Sequence, residues 1–198
     1  MSPPSILALG EVLWDCFPEG PRFGGAAANF ACHAAALGCS VSLVSAIGDD
    51  TPGHDAIEIL QAHRVDTSLV PRIANVPTGM VDVKLDEAKK PHFTIQPNSA
   101  WDRIAWSPEL ETRLNSANAI YFGTLSQRTD VSRQTIRRAL GVANDRGIRT
   151  VLDVNLRKPF FDAVLIRDSI ARARVVKLSD DELSEVAAAC GKIGRAHV

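Results

Sequence analysis

The sequence predicts an α/β protein with a mostly parallel sheet covered by helices on both faces, and a small, half-wet β-sheet set apart from it. Three observations carry this. Short continuous apolar runs alternate with helical stretches at both ends of the chain, the pattern of strands buried on both faces. Between Met80 and Ile95 the period drops to two, apolar against polar, as in antiparallel strands with one solvated face. The 198 residues, 45% hydrophobic and 23% charged, suffice for one sizeable core and one domain.

In chain order, Ser5–Leu9 is a short apolar run stopped by Gly10, a buried strand. Val12–Phe17 is a second run, broken by Asp15. Pro18, Gly20 and Pro21 predict a loop. FGGAAANFACHAAALG, Phe23 to Gly38, then opens a helix on two glycines, with Phe30, Ala34 and Leu37 at helical spacing and Gly38 at the C-terminal cap. Val41–Ile47 is a buried strand. Thr51 is placed to cap the next helix, with Pro52 at its first position and Ala56, Ile59, Leu60 and His63 along it. MVDVKLD and PHFTIQP alternate, and the charged link DEAKKP joins them as a hairpin. The strand around Leu13–Phe17 joins this hairpin. From Pro108 the α/β pattern returns: helices over Pro108–Leu114, Asp130–Arg146, Asp162–Ala173 and Asp180–Cys190, and strands over Ala119–Phe122, Thr150–Val154 and Val175–Leu178.

Net charge is −1, from 22 basic and 23 acidic residues, so no basic field exists to hold nucleic acid or an anionic membrane. No run reaches transmembrane length, and the N-terminus lacks the basic and long apolar regions of a signal peptide. Cys16, Cys32, Cys39 and Cys190 form no C-x-x-C pair and read as free thiols, which predicts a cytoplasmic protein. His33, His54, His63 and His92 lack metal-ligand spacing. Trp14, Trp101 and Trp106 read as core or lid packing.

Ligands of parallel α/β sheets sit beyond the carboxyl ends of the strands, and that rule selects the residues with chemistry. Asp15 is a carboxylate inside an apolar run, costly unless hydrogen-bonded or facing a wet cleft. A turn aspartate is its bland alternative. Gly24 and Gly25 let the backbone approach a ligand closely, and Asn29 offers donors and acceptors suited to a polyol. A plain small-residue core helix accounts for the same stretch. Asp49 and Asp50 read as turn and cap. Gln127 lies past the strand ending at Phe122. Asn155 and Arg157, in DVNLR, follow another strand, where a guanidinium fork suits a phosphate and a surface arginine is the equal alternative. Ser179 and Glu182 form S-x-x-E, a capping box that needs no further role.

The run LALGEVLWDCFPEGPRFGGAAANFACHAAALGCSVSLVSAIGDD resembles the N-terminal signature of the ribokinase/PfkB sugar kinases. GEVLWD followed by PRFGGAAANFA is most similar to the fructokinase-like branch, and the resemblance runs from Ile6 to Glu182. It implies a ribokinase-like three-layer α/β/α fold, with a β-lid built from about residues 12–22 and 77–97, and lids that pair two subunits in many members. It implies transfer of phosphate from ATP, with Mg²⁺, to a sugar hydroxyl, foremost fructose to fructose 6-phosphate. Asp15, Gly24, Gly25 and Asn29 would grip the sugar, with Phe93 under the lid and Gln127 and Asn155 in reach. Arg157 would stabilise the moving phosphoryl. Glu182 would serve the Mg²⁺ and phosphate network, with Ser179 where the family often has asparagine.

The family's late G-A-G-D-type turn, whose aspartate is the base, does not occur in these 198 residues. We therefore expect residues 1–192 to be the N-terminal part of a kinase domain, inactive alone, and IGRAHV, 193–198, to be a non-native tail. A kinase for 2-keto-3-deoxygluconate or another sugar, and a silent sugar-binding homologue, are the rival readings. A dinucleotide-binding domain is set aside, because the glycines lack G-x-G-x-x-G spacing.

Overall fold

The computed structural model describes residues 2–85 and 91–191. Its centre is a six-stranded, all-parallel sheet. The strands are β1 (Ser5–Leu9), β4 (Ser40–Val44), β6 (Asp66–Leu69), β10 (Ala119–Gly123), β11 (Arg149–Asp153) and β12 (Val175–Lys177), in the order β12-β11-β10-β1-β4-β6. The chain leaves β1 toward β4 and β6, then returns to β1's other side with β10. The switch in direction therefore falls between β1 and β10, where a crevice opens past the strand ends.

Alternation along the strands builds two cores. Leu7, Leu9, Ile120 and Phe122 face one way, against α3 (Pro108–Leu114) and α4 (Asp130–Asp145). Ala8, Leu43 and Tyr121 face the other, against α1 (Ala26–Ala36) and α2 (Thr51–Ala62). The buried stripe of α1 is Ala27, Ala28, Ala31 and Ala34, which lets the helix lie close to the sheet. α5 (Ala163–Ala171) packs with α6 (Asp180–Cys190).

The second sheet is a lid of four strands in the order β3-β2-β8-β9: β2 (Leu13–Phe17), β3 (Gly20–Gly24), β8 (Gly79–Leu85) and β9 (Pro91–Ile95). The predicted hairpin is β8–β9, antiparallel with Val83 opposite Phe93, and β2 joins it parallel to β8. The linking residues 86–90 and the tail 193–198 lie outside the described residues.

Several expectations are corrected. Gly20 and Pro21 are not loop: they begin β3, with Pro21 opposite Cys16. An edge strand tolerates a residue that cannot donate. The Val41–Ile47 run is divided, for Ile47 starts the two-residue β5 (Ile47–Gly48), paired with β7 (Arg72–Ile73). Asp50, not Thr51, caps α2, accepting from the Gly53 N–H at 2.9 Å. Its other oxygen takes the Thr78 N–H at 2.9 Å, a tie to the lid's base that a threonine could not make. Leu37, read as continuing the helical spacing of α1, is its C-cap, 86% exposed.

Candidate functional site

A cavity of about 280 Å³ opens at the crevice, between the strand ends and the lid. One wall is the passage from β1 into the lid. Gly10 ends the strand, and Glu11 turns back under α1, 2% exposed, where Oε1 accepts the Ala26 N–H at 2.9 Å. The carboxylate thus meets the electropositive start of α1. Gly25 precedes that helix at φ 104°, and a Cβ there would stand 2.4 Å from the Glu11 carbonyl oxygen. Only glycine fits both the backbone angle and the space. Asn29, one turn into α1, reaches the cavity from the same wall.

Asp15 lines the cavity from β2. Gly24, on the neighbouring strand, does not line it but makes room for that carboxylate: a Cβ at Gly24 would fall 2.5 Å from Asp15 Oδ2. Val81, Phe93 and Ile95 form an apolar roof, with Phe93 half-exposed.

The opposite wall is the turn after β11. Asn155 adopts φ 38°, a left-handed angle that asparagine tolerates better than most residues. The turn puts Asn155 and Arg157 on the cavity. It is held from α6: Glu182 Oε1 accepts the Leu156 N–H at 2.6 Å, while Oε2 accepts the Ser179 N–H at 2.8 Å and hydroxyl at 3.0 Å. Ser179 and Glu182 do form the capping box read from the sequence. Neither lines the cavity, and Glu182 acts on it through the Leu156 backbone.

The charges are coupled. Burial pushes the Glu11 carboxyl above the ordinary glutamate range, against the pull of its hydrogen bonds and of Arg157, while Asp153 pushes the same way as burial. Burial also raises Asp15, and Arg157 again opposes it. Burial would raise Glu182, but the bonds from Ser179 and Leu156, helped by Arg157, bring it below its ordinary value. Arg157 is therefore the cation that three carboxylates feel. Beside the site, Asp153 accepts from the Tyr121 hydroxyl and is paired with Lys177 Nζ, each at 3.0 Å. Burial and Asp153 together hold the Tyr121 hydroxyl protonated, far above its usual range. A second groove, about 480 Å³, runs along α1 past Tyr121, Asp153 and Lys177 and meets the first cavity at Ala26 and Asn29.

Gln127 is a correction. Its side chain is 1% exposed and turned inward, its amide donating to the Gly123 carbonyl at 2.9 Å and to Ser169 Oγ at 3.1 Å. Leu125, two residues earlier, takes the place on the cavity that Gln127 was expected to hold. Glu11 was not singled out from sequence, although a charge between LALG and VL asks the question that Asp15 asks. Among the described residues, no group of three or more His, Cys, Asp and Glu is placed to hold a metal ion.

Residues 19–196 match the family described as pfkB family carbohydrate kinase. The chain is 29% identical to a probable fructokinase-5 and 30% identical to a probable fructokinase-3, both of Arabidopsis thaliana, over 91% and 90% of its length. It spans 61% and 57% of those relatives. A crystal structure of an uncharacterized sugar kinase from Pyrococcus horikoshii superposes with TM-score 0.81 at 26% identity, covering 92% of this chain and 68% of that one. A fructokinase from Xylella fastidiosa shares the fold, with TM-score 0.81 at 24% identity over 93% and 62%.

Proposed function

This chain belongs to the pfkB family of carbohydrate kinases, and we propose that it forms the sugar-binding part of an enzyme that phosphorylates fructose at the expense of ATP. The observation that carries the reading is a single lidded cavity shared by Asp15, Gly25, Asn29, Asn155 and Arg157. A carboxylate and two amides offer a polyol mixed donors and acceptors, and the apolar roof excludes water from the ring. The names of the relatives, probable fructokinases, favour a ketohexose.

In this reading Asp15 accepts from adjacent sugar hydroxyls and Asn29 donates to a third. Arg157 neutralises charge on the arriving phosphoryl, since phosphoryl transfer depends on positioning and electrostatics more than on covalent help. The P. horikoshii kinase has been crystallised with ATP, which supports ATP as donor. Mg²⁺, when bound with ATP, would supply neutralisation of the donor's phosphate charge. In this reading neither carboxylate serves as the base, since Asp15 holds the sugar and Glu11 caps α1. Pairing of two subunits through the lids and a cytoplasmic setting complete the proposal.

The test is calorimetric titration of the chain with D-fructose, beside an assay for ADP release from ATP. We expect saturable fructose binding, weaker binding of aldohexoses and no ADP release. Absence of binding by any hexose would sink the sugar-site reading, and fructose-dependent ADP release would overturn the expected lack of a base.

A further inference from the structure

We propose that the pocket between α4 and the Pro159–Leu165 segment is a second site, one that takes a small organic phosphate. It encloses about 340 Å³ and shares no lining residue with the fructose cavity. Three guanidiniums line it, Arg128, Arg133 and Arg137, against one carboxylate, Asp162.

The three arginines differ in what holds them. Arg128 is a fixed post: its side chain is 4% exposed, paired with Asp102 at 2.7 Å through both Nε and Nη2, and sandwiched between the Trp101 and Phe160 rings at 4.0 and 4.7 Å. Its Nη1 is buried with no hydrogen-bond partner among the described residues. A buried charged donor left unmet is costly and calls for an acceptor. Arg133 and Arg137 are each about a third exposed. Arg133 anchors Nε on the Gln127 carbonyl, and its nearest carboxylate, Asp130, is 3.6 Å away and 85% exposed. Arg137 faces Asp168 at 2.9 Å, but Arg172 shares that same carboxylate. Two guanidiniums on one carboxylate leave a positive charge over.

The remaining walls suit an organic body. Phe160, Phe161, Val164 and Leu165 supply aromatic and apolar surface, and the volume exceeds what an inorganic anion fills. α5 opens on the pocket with its positive end, although Asp162 already takes the Leu165 N–H at 2.7 Å. Paired forks, an aromatic wall and net positive lining match a phosphate monoester on a small carbon skeleton. The segment joining β11 to α5 carries Asn155 and Arg157 into one site and Pro159 to Asp162 into the other. An occupant here is therefore expected to tighten or loosen fructose binding.

The experiment is titration of the full chain with glycerol 3-phosphate, a phosphate monoester that is not a product of sugar phosphorylation, and with inorganic phosphate at constant ionic strength, read by calorimetry and by tryptophan fluorescence, since Trp101 lies on Arg128. Saturable binding of glycerol 3-phosphate is expected. It should weaken about tenfold or more in Arg133→Gln and in Arg137→Gln, and less in Arg137→Lys, which keeps the charge without the fork. Arg157→Gln and Asp15→Asn, which alter the fructose cavity, should leave it unchanged. Inorganic phosphate binding as tightly would refute the organic body. No saturable binding, or binding lost in Arg157→Gln and kept in Arg133→Gln, would overturn the site. If a glutamine variant fails to fold, Arg137→Lys decides alone: unchanged affinity counts against the proposal.

Discussion

Two turns face each other across the lidded cavity, and they are held by opposite means. On the Glu11–Gly25 side, backbone is pressed on backbone, with room for no side chain at Gly25. On the Asn155–Arg157 side, the turn hangs from a carboxylate that belongs to a helix 26 residues further along. The Gly25 contact is steric and does not itself titrate, although the Glu11 carboxyl beside it does. The clasp on the second turn is electrostatic and titrates. The side proposed to hold the sugar is thus built rigidly, while the side proposed to meet the phosphoryl is built so that charge governs it.

Gly25→Ala attacks the steric side and is expected to have the largest effect. A Cβ at φ 104° and 2.4 Å from a carbonyl oxygen forces the β1–α1 crossing apart, costing about 3 kcal/mol or more. Denaturant unfolding measures it, and a loss below about 0.5 kcal/mol would show that the crossing is soft. Asp15→Asn leaves that frame in place. It should cost about ten- to a hundredfold in fructose affinity, the worth of a charge-assisted hydrogen bond, with stability unchanged or raised, because the charge it removes is partly desolvated. Equal losses of affinity and stability would make Asp15 a structural residue.

Glu182→Gln tests the electrostatic side, with a smaller expected loss of about 1–2 kcal/mol from the weakened cap and the Leu156 tie. Its pH dependence sharpens the contrast. The folded-state value of Glu182 is depressed, so its contribution is present above the unfolded glutamate value of about 4.3 and fades as pH falls through the folded one. Glu11 has the reverse sign. Its folded value is raised, so wild-type stability drops as pH climbs from about 4.3 through the folded value, and Glu11→Gln should remove that drop. Thermal melts of both variants between pH 3 and 7 check this. Parallel curves for the two would contradict the opposite signs.

The rigid side was the legible one. Gly24, Gly25, Asn29 and Asp15 lie within 15 residues, and their chemistry shows in local contrast: glycines after a turn, an amide among alanines, a carboxylate among apolar residues. Glu11 offered the same contrast and was passed over, because its partner Ala26 has no side-chain chemistry to announce it. Gln127 was misplaced for a long-range reason. Whether a polar residue past a strand points out or in was settled by Ser169, 42 residues away. β6 escaped for the same kind of reason. In Asp66–Leu69 only Leu69 is fully buried, and the strand is secured at the sheet edge by the Ser42–Asp66 hydrogen bond and the Asp66–Arg113 ion pair. The α6 capping box fared better, since Ser179 and Glu182 carry their partners within one helical turn, whereas the Thr51 cap gave way to Asp50.

The single carboxylate of Glu182 serves two masters, the first turn of α6 and the backbone of Leu156. The Asn155 turn, with its left-handed backbone, therefore keeps its clasp only while the first turn of α6 is wound. Amide exchange at Leu156 should therefore report the opening of a helix to which it does not belong.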